Sequence, residues 1–298
     1  MGTLLQNIIA GLETGSLYAL AALGVVMIYR VSGVTNFAQG EMAMFSSFIA
    51  FTIWRSTAVG ILGPELGYVV AFLGAIIFAI VFGFTVERIF IRPAKKASMV
   101  GKMIVTLGLI MMVNGTAGAI FGTDTHHMRR AITASSFRIG DVLIRPNAIF
   151  VILLTLLIMG VLFYMIKRTI FGVAIRATAQ NETTARLMGV PTKKVSSSAW
   201  IIATVLGAVA GVLISPATNV HTNMMSEVHL KSFIAAVLGG FTSFIGPVVG
   251  GLMIGVLDNL VGYYISLKWR TVIVYGFLIL ILIVKPAGLF GKVIRKKV

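Results

Sequence analysis

Four acidic side chains, Glu13, Glu41, Glu87 and Asp258, stand within or at the ends of otherwise apolar runs. An ionised group at bilayer depth is costly unless water, a partner or a pathway surrounds it, so such residues can bind ions, relay protons or meet a polar solute. Glu13 lies nine residues after Leu4, roughly 13 Å along a helix. Glu87 falls near a cytoplasmic end and is expected at the membrane interface, while Asp258 interrupts an apolar run. Glu41 is the strongest candidate. Asn36, Gln39 and Glu41 converge beside Phe37, which puts polar groups and an aromatic wall where the backbone is expected to break. These four are the candidate substrate-pathway residues. The same set also suits a structural hinge, because Asn and Gln satisfy backbone groups freed by a broken helix.

The residues needed for a reaction do not assemble in the sequence. His126 and His127 are adjacent, and His221 and His229 lie eight apart. Neither spacing is that of a metal site, and solvated loop histidines are expected. No serine sits in a nucleophile elbow, so intramembrane hydrolysis lacks a nucleophile and base. The Gly-Lys pairs, Gly101-Lys102 and Gly291-Lys292, lack the upstream glycine and the following hydroxyl of a P-loop. ATP, if it drives this chain, is expected to be bound by another polypeptide, and no cofactor of the chain's own is expected. With no cysteine, disulfides and thiolate chemistry are excluded.

The elements that position these residues follow from composition. Of 298 residues, 58% are hydrophobic and 11% charged, too apolar for a soluble domain, in which about half the residues are apolar. A hydrocarbon core about 30 Å thick takes roughly 20 helical residues to cross. The apolar runs are 4–28, 41–54, 67–91, 103–121, 148–166, 195–215, 233–265 and 271–284. None alternates in the manner of a strand, so an all-α polytopic membrane bundle of about eight apolar segments is expected, with a single transmembrane domain over 1–298. The first run begins almost at Met1 with no basic leader region or cleavage site, and reads as a span rather than a removable signal.

Run 233–265 is too long for one crossing and is interrupted by Gly239, Gly240, Gly246 and Pro247, which predicts a broken helix. A second break is expected between Arg30 and Gln39. The segments 45–49 (FSSFI) and 241–245 (FTSFI) are alike; they mark either two related halves with interrupted helices or chance similarity in phenylalanine-rich, lipid-facing helix. Small residues four apart, Gly11 and Gly15, Gly118 and Gly122, Gly207 and Gly211, Gly251 and Gly255, permit close helix approach, either within this bundle or against a second subunit.

The net charge of +16 would suit nucleic acid, but the cations sit at the ends of apolar runs, where topology explains them better. Clusters at 88–102, 167–194 and 285–297 are assigned to the cytoplasm. Arg129, Arg130, Arg138 and Arg145, between 122 and 146, break that rule and are only partly offset by Asp124 and Asp141.

The 167–194 loop contains a polar island, 176–191. From Val173 to Met188 the residues suit one helix, with Glu182 and Arg186 spaced to pair, and Gly189 and Pro191 stop it. Val173, Ala177, Thr184, Leu187 and Met188 share one side; Arg176, Glu182, Thr183 and Arg186 share another. A loop that only sets topology needs no amphipathic helix with a stop, so one face is expected to dock a partner. The candidate coupling residues are Arg176, Glu182, Thr183, Arg186, Leu187, Met188, Gly189 and Pro191.

The segments 15–41 (GSLYALAALGVVMIYRVSGVTNFAQGE), 176–190 (RATAQNETTARLMGV) and 235–255 (AAVLGGFTSFIGPVVGGLMIG) resemble LivH-type permeases of branched-chain amino acid ABC transporters, and the likeness covers almost the whole chain. The resemblance implies a cytoplasmic membrane protein of a bacterium or archaeon that works by alternating access. It places the second segment in the cytoplasmic loop that couples to the ATPase. It also implies partners: a second LivM-like permease or another copy, two ATP-binding subunits and an extracytoplasmic substrate-binding protein, with no nucleic acid. Where the family motif often has His, this chain has Gln39, which removes a titratable group beside Glu41. Similar permeases move urea, amides and aromatic acids, and the pathway residues do not choose among these. A different class, an ion-coupled transporter or channel acting alone through Glu13, Glu41 and Asp258, would leave the island without a task. Ion-driven flux by the chain alone would favour it.

Overall fold

The computed structural model describes residues 2–60, 63–140 and 142–291. In chain order its helices are α1 (Gly2–Ser32), α2 (Gln39–Gly60), α3 (Gly63–Val86), α4 (Met99–Phe121), α5 (Pro146–Arg168), α6 (Ile170–Gln180), α7 (Glu182–Leu187), α8 (Thr192–Thr218), α9 (Ser226–Gly239), α10 (Ile245–Tyr264) and α11 (Arg270–Val284). Six are long and apolar enough to cross a membrane: α1, α3 with the five π-helical residues Glu87–Ile91 that extend it, α4, α5, α8 and α10. The expected all-α, multi-pass architecture holds: each apolar run lies within a helix, 67–91 within α3 and its π-helical extension, except 233–265, which spans α9, the turn 240–244 and α10. Asp141 and the tail cations Lys292, Arg295, Lys296 and Lys297 lie outside the described residues.

The described residues form two compact units. The first comprises Met1–Val26, Ile132–Ile158 and Leu230–Val298. Here the small-residue pairs of α1 and α10 face one another. A Cβ on Gly255 would collide with the Gly15 backbone, and one on Gly11 would come 2.6 Å from Val256 Cα. Removing the side chain lets the two backbones touch, and dispersion between them replaces a hydrophobic force that lipid does not supply.

The break in the long apolar run is real: α9 ends at Gly239, Gly240 takes φ +90°, and α10 starts at Ile245. Pro247 lies in the first turn of α10 rather than in the break, where its missing N–H costs no helical bond. The end of α9 is capped by the returning chain. Leu289 and Phe290 donate their amides to the Leu238 and Gly239 carbonyls at 2.7 and 3.2 Å, satisfying groups that a helix end leaves open. A small antiparallel hairpin, β1 (Phe137–Ile139) with β2 (Val142–Ile144), pairs Phe137 with Ile144 around a turn containing Gly140 at φ +59°. It was not anticipated, because three-residue strands carry too little alternation to read.

The second unit comprises Met27–Ala131 and Met159–His229. Helix α2 packs against α3, α4 and α8. Its core gathers Ile28, Met42, Val86, Leu109 and Trp200. Gly207 and Gly211 lie against α2, where a Cβ on Gly211 would meet Ser47 Oγ at 2.6 Å, whereas Gly118 and Gly122 have nothing within 4 Å. Only some small-residue pairs therefore mark a seam. In contrast to α8, 78% buried over its most apolar stretch, α4 is 22% buried, and rows such as Leu73, Ile77 and Val81 on α3 point outward. These are the faces for lipid.

Two expectations are corrected here. Phe45 and Phe48 do not face lipid. They are buried, Phe45 stacked on Phe78 at 5.5 Å and Phe48 on Phe121 at 4.8 Å. The 45–49 and 241–245 segments are not equivalent either: the first is mid-helix in α2, the second forms the turn before α10. Local sequence likeness in so apolar a chain does not fix conformation.

Candidate functional site

The break after α1 forms where it was expected. Gly33, at φ +67°, ends the helix, and its amide donates to the Tyr29 carbonyl at 2.8 Å. Asn36, fully buried, accepts the Ala38 amide on Oδ1 at 3.1 Å and directs Nδ2 toward Met42 Sδ at 3.8 Å, so it stabilises the entry into α2. Phe37 is half-buried beside it. Gln39 is buried, and its Nε2 reaches the Ala203 carbonyl on α8 at 3.5 Å. Glu41 Oε2 accepts from Asn114 Nδ2 of α4 at 3.0 Å, and the same amide nitrogen donates to the Thr222 carbonyl at 3.0 Å. Asn114 was missed, although a lone amide amid an apolar run was the available signal. No cation pairs with Glu41 among the described residues. Asn36 thus serves as a hinge cap, while Glu41 retains a buried carboxylate that an amide holds and no cation neutralises.

The other acids have partners. Asp258 on α10 contacts Lys231 Nζ of α9 at 2.8 Å through Oδ2 and Arg270 Nε at the start of α11 at 2.9 Å through Oδ1. Lys231 is wholly buried and also lies 5.7 Å from the Tyr18 ring centroid. A carboxylate between two cations is a poor ion or proton carrier. Glu13 accepts from Asn147 at 3.4 Å. Glu87 opens the π-helical turn that extends α3, and its side chain is buried. Its Oε2 meets Arg92 Nη2 at 2.7 Å and Ser197 Oγ of α8 at 2.9 Å.

The island is two helices rather than one. Asn181 is extended between α6 and α7, and its Oδ1 accepts the Thr184 amide at 3.0 Å, an N-cap that starts a new helix. At the other end the stop is as expected. Gly189, at φ +85°, donates to the Arg186 carbonyl, and the Val190 amide donates to Ala185 at 3.0 Å, the bonding of a Schellman motif. Pro191 then leads into α8.

Glu182 pairs with Lys95, in the 3-10 turn Pro93–Lys96, and not with Arg186. Glu182 and Arg186 lie four apart in α7, yet the cation that reaches Glu182 is the one packing brings from the 3-10 turn. Arg176 is not on a free face: its guanidinium donates to the Ile166 carbonyl near the end of α5, and Gly172 lets α6 press against the same turn. Ile175, Thr178 and Ala185 face inward. Thr183, Arg186, Leu187, Met188, Gly189 and Pro191 are exposed, with Leu187 and Met188 about four-fifths exposed. Two large apolar side chains held outward on a capped turn, beside Arg186, form a docking tip.

The histidines are less solvated than expected. His126 pairs its backbone with Val220 and stacks on Phe51 at 4.7 Å, and His229 is on α9 with its imidazole against Gly40. His127 is exposed, with Nδ1 2.7 Å from Asn219 Oδ1. Of the four loop arginines that strained the charge rule, Arg129 reaches Glu65 at 3.5 Å.

A family model described as "Branched-chain amino acid transport system / permease component" matches residues 7–283. The chain is 31% identical to the high-affinity branched-chain amino acid transport system permease protein LivH of Salmonella typhimurium, over 97% of this chain and 96% of the relative. It is 30% identical to the corresponding protein BraD of Pseudomonas aeruginosa, over the same shares. A probable branched-chain amino acid transport permease protein LivM of Methanocaldococcus jannaschii is 26% identical over 92% of this chain and 90% of the relative. No solved structure matches.

Proposed function

The chain belongs to the family of permease components of branched-chain amino acid transport systems, and from that premise we propose that it forms the membrane path of an ATP-driven importer for branched-chain or related amino acids, working by alternating access. An extracytoplasmic binding protein delivers the solute. Two ATP-binding subunits close on the cytoplasmic side, and a second permease, LivM-like or another copy, completes the path. Likeness to both LivH and LivM proteins supports a paired permease.

One observation carries the coupling role: Leu187 and Met188 stand exposed on the Schellman-capped end of α7, while Glu182 ties that helix to Lys95. The tip offers the ATPase an apolar anchor, and the tie would pass its movement to the turn that follows α3. Glu41 supports the solute class. A buried carboxylate held by Asn114 suits the ammonium group of an amino acid better than a neutral amide.

The ion-coupled alternative loses one of its three acids, because Asp258 lies between Lys231 and Arg270. The test is retention of the ATPase subunits by Arg186→Ala/Leu187→Ala/Met188→Ala permease, together with ATP-dependent uptake in proteoliposomes. Loss of both with intact folding is expected. Full retention of the ATPases would refute the docking tip, and uptake driven by an ion gradient without ATP would refute the importer.

A further inference from the structure

A cavity of about 90 Å³ lies in the second unit, between the end of α1, the π-helical turn, the 3-10 turn, α4, the island and the first turns of α8. On the same measure one water takes about 10–15 Å³, so there is room for a polyatomic guest. Arg92, Lys95, Lys102 and Lys193 line it against Glu87 and Glu182, which leaves two positive charges unbalanced. Arg92 and Lys95 are paired with those acids, whereas Lys102 and Lys193 have no acidic partner among the described residues. Trp200 also lines the cavity. It is 1% exposed and packs with Ile28, Met42, Val86 and Leu109, so it closes the cavity on its apolar side. A cavity lined by more cations than acids raises the local concentration of anions and favours an anionic guest.

We propose that this cavity is a binding site for a phosphate-bearing anion, with Lys102 and Lys193 supplying charge and Trp200 part of the apolar wall. Phosphate fits better than carboxylate because a phosphate monoester carries close to two negative charges at neutral pH, matching the imbalance. Free phosphate and a lipid phosphate headgroup share this chemistry, and basic pockets between membrane helices at the cytoplasmic side take lipid headgroups. Lys95 and Glu182 both border the cavity, so a bound anion competes with Glu182 for Lys95 and is felt by α7. The proposal does not depend on the transported solute.

The test uses the full chain in phosphatidylcholine nanodiscs, titrated with radiolabelled inorganic phosphate. In parallel, the chain is taken from vesicles of phosphatidylcholine doped with phosphatidic acid and assayed for lipid retained after detergent exchange. Saturable binding in the first arm identifies free phosphate; stoichiometric retention in the second alone identifies a lipid headgroup. In either arm Lys102→Gln/Lys193→Gln should weaken binding by roughly tenfold or more. Lys102→Arg/Lys193→Arg, which keeps the charge, should retain binding and so separates loss of the site from loss of folding. No binding in either arm, or binding unchanged in the Gln variant, overturns the proposal.

Discussion

Asn114 on α4 holds the Glu41 carboxylate of α2 at 3.0 Å and spends its amide on no other side chain, only on the Thr222 carbonyl. The pair joins α2, α4 and the loop after α8, and it positions a buried acid that has no cation beside it among the described residues. Were Glu41 only a hinge, its charge would be a liability in lipid; as a counter-charge for a passing ammonium it has a use.

Glu41→Gln keeps an oxygen for Asn114 and removes only the charge. Uptake by the assembled transporter should fall by roughly tenfold or more while the unfolding midpoint holds. Asn114→Leu instead leaves the carboxylate without its donor and should cost about 1–3 kcal/mol of stability. Wild-type uptake by Glu41→Gln would assign Glu41 to the hinge alone.

The two cations on Asp258 predict an order of effects. Asp258→Leu strands Lys231 and Arg270 together and should cost about 3–5 kcal/mol, the usual result of leaving buried charge unpaired. Lys231→Met leaves Arg270 on the carboxylate and should cost less. Unfolding of the purified variants in detergent checks the ranking, and the reverse ranking would contradict the network.

The glycine seams are separable by substitution to alanine. At Gly255 a methyl meets the Gly15 backbone, so Gly255→Ala should destabilise by at least about 1–3 kcal/mol and weaken α1–α10 packing. Gly118→Ala meets nothing within 4 Å in the interior of α4 and should stabilise by about 0.5–1 kcal/mol. Equal effects at the two positions would mean that close backbone approach is not what the first pair provides.

Run lengths made the helices legible, because a bilayer of fixed thickness demands about 20 apolar residues per crossing whatever else the chain does. The breaks before α2 and α10 and the stop at Gly189 were legible for a local reason: glycine at positive φ and proline act on the backbone where they stand. Asn181 carried a readable cap as well, Asn followed by Glu before a short helix, and reading 173–188 as one continuous helix hid it. The periodicity of α2 said nothing of Phe78 or Phe121, and so the burial of Phe45 and Phe48 was out of reach.

Membrane class, helix spans, the interrupted segments and the end of the island were therefore settled by sequence alone, since each depends on composition or on backbone preference within a few residues. Tertiary structure alone decided the partners: Asn114 for Glu41, Lys231 and Arg270 for Asp258, Lys95 rather than Arg186 for Glu182. A helix fixes which residues share a face. What that face meets comes from parts of the chain dozens of residues away, and an electrostatic pair forms with whichever charge packing brings nearest.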